Sequence, residues 1–126
     1  MNEFKLICGR GNFRVHAHGR LIGNDLVVSL WGGNRPHVGT VAIALPRRSL
    51  RDTERMSSTA SVFTLLGHKE DLIAKAFSEK LSAALNRVVV VTVGIHLDRI
   101  DEKGIEKFIG NCDRACGQVL RILKRI

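Results

Sequence analysis

The run Val88-Val89-Val90-Val91-Thr92-Val93 constrains this chain more than any other stretch. Six consecutive β-branched residues disfavour a helix, because the branched carbons crowd the preceding turn. They suit a pleated strand buried on both faces. Helical patterns flank the run. Ile73, Phe77, Leu81, Ala84 and Leu85 recur at helical spacing from Lys69 to about Asn86, where an asparagine can close a helix. Ile105, Phe108, Ile109, Cys112, Cys116, Val119, Leu120 and Leu123 form a second apolar stripe. Asp101 can cap its start, and Lys124 and Arg125 suit its negative end. A strand of this kind between two amphipathic helices belongs at the centre of a sheet.

The N-terminal half supplies the rest of that sheet. Phe4, Leu6 and Cys8 alternate with Glu3, Lys5 and Ile7 and read as a short first strand. After the turn cluster Gly9-Arg10-Gly11-Asn12, a second strand reaches about Ile22. Gly23-Asn24 is a hairpin signal, and Asp25 to Trp31 reads as the third strand. A glycine-rich loop, 32–37, leads to a fourth strand over Val38–Leu45, which Pro46 ends. Residues 47–60 lack periodicity and read as a long loop, and Ser61 to Leu66 as a fifth strand. The expected class is α+β: a mostly antiparallel β-meander sheet with two helices on one face, in a single domain over 1–126. The other face, carrying Trp31, is a surface that a second subunit can cover.

With 126 residues and 44% hydrophobic content, the chain can build one core without disulfides or metal. The odd set Cys8, Cys112 and Cys116 has no zinc spacing and reads as reduced, buried thiols. No apolar run is long enough to span a bilayer, and the first residues do not form a signal peptide, so the expectation is a cytoplasmic protein. The net charge of +8 points to an anionic partner. One Trp, five Phe and no Tyr, without aromatic–basic interleaving, argue against nucleic acid.

Three segments carry candidate chemistry. In Gly32-Gly33-Asn34-Arg35-Pro36-His37-Val38-Gly39, the glycines allow close backbone approach to a ligand. Arg35 offers a donor fork for phosphate or carboxylate, and His37 a titratable donor. Ser57, Ser58 and His68, around a helix start, suit an anion. His96 and Asp98 leave the end of the buried strand as a possible oriented pair. His37, His68, His96 and Asp98 could instead converge on a metal and serve a hydrolase, and His16 and His18 share a strand face that could chelate, although no zinc spacing is present. A nucleophile elbow, a Walker loop and a dinucleotide fingerprint are all missing.

Taken together, GGNRPHVG (32–39), SSTASVFTLLGHKED (57–71) and VVVVTVGIHLD (88–98) resemble the prenylated-flavin chaperone domain. This is the small D-type subunit that accompanies UbiD-like aromatic-acid decarboxylases such as gallate or 4-hydroxybenzoate decarboxylase. The resemblance covers roughly residues 13–120. It implies a fold similar to proteasome assembly chaperones, usually paired as dimers, here a homodimer. It also implies a role in holding prenylated FMN, or loading it into the decarboxylase subunit, with no catalysis by this chain. The site it implies for the flavin nucleotide comprises Gly32, Gly33, Arg35, His37, Ser57, Ser58, His68, His96 and Asp98, with Arg35, His37, His68 and His96 lining one pocket. Asn34 stands where an acidic residue is expected. A chaperone that binds only protein is the third reading.

Overall fold

The valine run does become the centre of the sheet, and it decides how everything else is arranged. In the computed structural model, which describes residues 2–65 and 70–124, the order is β1 (Glu3–Cys8), a 3-10 turn (Gly11–Phe13), β2 (Val15–Ile22), β3 (Asp25–Gly33), β4 (Thr40–Arg48), β5 (Met56–Thr64), α1 (Glu70–Leu85), β6 (Val89–His96) and α2 (Glu102–Leu123). The six strands run in the order β1-β2-β3-β6-β4-β5. All pairs are antiparallel except β3–β6. The expected α+β class holds, with one refinement: the meander is interrupted, because β6 inserts between β3 and β4 and lies parallel to β3.

Both helices pack on one face, α1 over β4, β5 and β6, and α2 over β1 and β2. The inward side chains alternate along each strand, as the pleat requires. Leu26, Val28 and Leu30 of β3 and Val89, Val91 and Val93 of β6 are buried against Phe77, Leu81, Phe108 and Val119 of the helices. Each such aliphatic side chain contributes roughly 1.5–3 kcal/mol on burial. Val90 and Thr92, the other half of the run, are only half-buried on the opposite face. Burial on both faces is therefore not met within one chain.

The caps behave as read. Asp101 accepts a hydrogen bond from the Gly104 amide at 2.8 Å, and Asn86 takes a left-handed φ of 53° just past α1. Two expectations are corrected. Pro46 does not end β4, which continues to Arg48. Pairing of β4 with β6 stops at Ala44, so beyond that point β4 has one open side, where a missing N–H is tolerated. Residues 47–60 are no long loop: Met56–Thr64 forms β5, and only Ser49–Arg55 connects the strands. Arg47 donates to Thr59 Oγ1 (2.6 Å) and Arg48 to the Thr53 carbonyl (2.8 Å), so these arginines brace their own hairpin.

The three cysteines are free and buried. Burial, helped by the Asp113 charge, pushes the Cys112 thiol up to about 12, and burial pushes Cys116 up to about 11, from an ordinary 9.0. A raised acid pKa favours the protonated thiol in the folded state. Its stabilising effect is complete below pH 9 and is lost as pH rises through the window from 9 to about 11–12. Native protein is expected to resist thiol alkylation at pH 7. Denaturant midpoints are expected to fall steadily above pH 9, and a Cys112→Ser chain should show a smaller fall; chemical denaturation across pH 7–10.5 checks both.

Candidate functional site

Because β6 lies between β3 and β4, the connection between those two strands must pass across the end of β6. Gly33 pairs with His96 and Trp31 with Gly94, while Thr40 of β4 pairs with Val93. The crossing loop is tied down by the backbone: the amides of Asn34 and Arg35 donate to the His96 carbonyl (2.9 and 3.3 Å), and that of Gly39 to Val93 (2.9 Å). A Cβ on Gly94 would collide with the His37 carbonyl, and one on Gly33, which has φ 84°, with the His96 carbonyl. A Cβ on Gly32 would meet the Arg14 carbonyl. The space a side chain would take at these glycines is therefore filled by the chain's own backbone.

At this crossing the side chains of Asn34, Arg35, His96 and Asp98 meet. Asn34 Nδ2 donates to Asp98 Oδ2 (2.8 Å), and the Asp98 amide donates to Asn34 Oδ1 (3.0 Å). His96 Nε2 lies 3.0 Å from Asp98 Oδ1, and Arg35 Nε 3.6 Å from the same oxygen. An acidic residue at 34 would supply no donor to this carboxylate, so asparagine is the residue that fits here. Hydrogen bonds from Asn34 and His96, with the Arg35 charge beside them, hold the Asp98 carboxyl below its ordinary 3.8.

His37 belongs to the same loop but looks elsewhere. Its Nδ1 is 2.9 Å from the Arg35 carbonyl, and its Nε2 faces Glu70 Oε1 at 3.4 Å. Glu70 opens α1 and is buried. The positive end of the helix favours a carboxylate there. A Cβ on Gly39 would strike both Glu70 and His37, so this glycine makes the contact possible.

Ser57 and Ser58 do not join these groups. They pair with Arg47 and Pro46, roughly 20 Å along β4 from Thr40 at 3.3 Å per residue. The buried Ser58 hydroxyl donates to the Glu79 carbonyl (2.7 Å) and so ties β5 to α1. His68 lies outside the described residues.

Sequence reasoning missed the neighbours on the open face of the sheet. His16 and Trp31 are cross-strand partners with rings stacked at 5.4 Å and 6°. A polar hollow of about 250 Å³ beside them is lined by Arg14, His16, Gly33 and Asn34 among others. The alternation of β2 and β3 could have placed His16 and Trp31 on one face, but not against the 34–39 loop. His16 and His18 do not chelate together: His18 faces Glu3 at 3.8 Å. Among the described residues, no three His, Cys, Asp or Glu side chains gather as a metal site.

The fold, a six-stranded sheet with two helices on one face, is of the assembly-chaperone type. A structure titled as a chaperone complex for yeast 20S proteasome assembly superposes with a TM-score of 0.60, at 15% identity, over 99% of this chain and 98% of that one. Its sequence is too distant to carry more than the fold. The family model for the prenylated flavin chaperone LpdD-like domain matches residues 9–124, and the chain belongs to that chaperone family. Protein LpdD of Lactiplantibacillus plantarum is 24% identical over 115 residues, covering 91% of this chain and 81% of that protein.

Asn34→Asp is expected to set two carboxylates against each other and to raise the Asp98 titration towards or above its ordinary value. In the parent chain the stabilising interaction of Asp98 holds above pH 3.8 and is lost only as pH falls through the lowered pKa. Carboxyl-carbon NMR titration of both proteins measures the shift.

Proposed function

We propose that this protein is a carrier of prenylated FMN that holds the cofactor as cargo and delivers it to a UbiD-like aromatic-acid decarboxylase. Membership in the LpdD-like chaperone family carries the reading. The donor set at the sheet end supports it. The decarboxylation chemistry that the flavin serves belongs to the partner enzyme.

The residues present suit such a ligand. Arg35 is largely exposed and only loosely paired with Asp98, leaving guanidinium N–H groups for a phosphate. His96, steadied by Asp98, presents an imidazole to the polar edge of a ring system, and His37 acts from behind, bracing the loop through the Arg35 carbonyl and Glu70. The flat His16–Trp31 pair beside the hollow offers a stacking surface for the flavin ring. Gly32 and Gly33 would act by shaping the loop. The reading leaves Ser57 and Ser58 out of the site.

The open face of the sheet suits a second copy of the chain. Ile43, Leu45 and Phe63 are exposed there, and Phe63 retains 70% of its surface. Such a patch favours burial in a subunit contact. A homodimer through this face would also complete the burial of Val90 and Thr92. The free thiols suit a cytoplasmic setting, and among the described residues no helix is long and apolar enough to cross a membrane.

Two outcomes are expected. Reduced prenylated FMN should stay with the protein through gel filtration and should speed activation of an apo-decarboxylase. Arg35→Ala and His96→Ala should each weaken retention about tenfold or more with little change in melting temperature. No retention together with no effect on activation overturns the reading. Sedimentation velocity should show a dimer for the parent chain and a monomer for Leu45→Glu/Phe63→Glu.

A further inference from the structure

The outward face of α2 carries a charge pattern that the flavin site does not use. Lys103, Lys107, Gly110, Arg114, Gly117 and Arg121 all fall within an arc of about 80° on a 3.6-residue helix. They form a straight stripe about 27 Å long, at 1.5 Å per residue. Among the described residues, none of its four cations has a carboxylate within ion-pairing distance. Arg114 donates to the neutral Asn111 side chain, and the Lys107 ammonium sits 4.7 Å over the Phe13 ring. Between this stripe and the β1–β2 connection runs a groove of about 890 Å³, to which Arg10 adds a further cation and Glu106 a single carboxylate.

Helix stability does not explain the pattern. Lys103 stands in the first turn, where the positive end of the helix disfavours a cation. Lys103 and Lys107 are like charges one turn apart. Gly110 and Gly117 weaken a helix interior, and a Cβ at either would meet nothing within 4 Å, so no packing within the chain calls for glycine. The stripe therefore combines unneutralised charge with two hollows seven residues apart, the spacing at which a second helix can lie along the first and approach it closely.

We propose that this face of α2 docks an acidic helix of a partner protein. A nucleic acid fits less well: Phe13 is the groove's one aromatic lining residue, and its ring is already engaged by Lys107 on its face and by Phe108 at 5.4 Å. A compact phosphate would use only one or two charges of a stripe this long. The site lies on the helix side of the sheet, away from the open face, and the inference does not depend on the flavin reading.

The test uses the full-length protein and a fluorescein-labelled, end-capped helical peptide of about three heptads. Glutamate occupies two positions of each heptad, with alanine and leucine elsewhere; a lysine version serves as control. The acidic peptide should bind by anisotropy, more weakly as salt rises, and amide shifts should map to α2. Lys107→Glu/Arg114→Glu should weaken it at least tenfold, and Arg51→Glu, on the distant β4–β5 turn, less than twofold. Gly110→Ala/Gly117→Ala should raise the melting temperature and still weaken the peptide several-fold. Absence of binding overturns the proposal, as does an equal loss with Arg51→Glu or unchanged binding in the glycine variant. Displacement by millimolar inorganic phosphate, or tighter binding of a single-stranded oligonucleotide to the same residues, also overturns it.

Discussion

The parallel pairing of β3 with β6 is the constraint on which the rest of this structure depends. A strand threaded between β3 and β4 separates two segments that the chain order would have made neighbours. The connection between them then has to cross the end of the intruding strand. It can do so closely only because position 94 has no side chain, so that the His37 carbonyl sits where a Cβ would be. Three backbone hydrogen bonds to Val93 and His96 hold the crossing in place. Arg35 and Asn34 meet His96 and Asp98 as a consequence of topology, and His37 reaches Glu70 for the same reason.

The geometry gives the two faces of the sheet different work. One face is closed by α1 and α2 and holds the apolar core. The other displays the His16–Trp31 pair, the exposed side chains of β4 and β5, and the hollow beside the 34–39 loop. At the end of the sheet the Asp98 carboxylate gathers Asn34, His96 and Arg35 and fixes their side chains relative to one another.

Several elements were legible in the sequence because their signals are local. Period-two alternation marked β1, β2 and β3, helical spacing marked both helices, and Asn86 and Asp101 marked two helix ends. The stretch 47–60 was not legible. Its strands extend past the sheet centre, are half-exposed and carry arginine and serine in place of an apolar alternation, so their pairing left no hydrophobic trace. The two outer motifs, 32–39 and 94–98, carry local signals of glycine, histidine and charge, but their meeting depends on the pairing of β3 with β6, which no local pattern encodes. Ser57 and Ser58, in a polar cluster read beside the helix start, lie at the far end of β5, where the Ser58 hydroxyl ties the strand to α1.

By itself, the sequence determined the classes of element and the central place of the valine run, because backbone sterics and side-chain periodicity act over a few residues. It also determined the family, through three short motifs in order. Only the tertiary structure decided that β6 enters between β3 and β4, that Asn34 clamps Asp98, and that the glycines at 33 and 94 make room for the chain itself. Those outcomes rest on which strands pair across the sheet, a choice governed by burial of the whole core and not by any single segment.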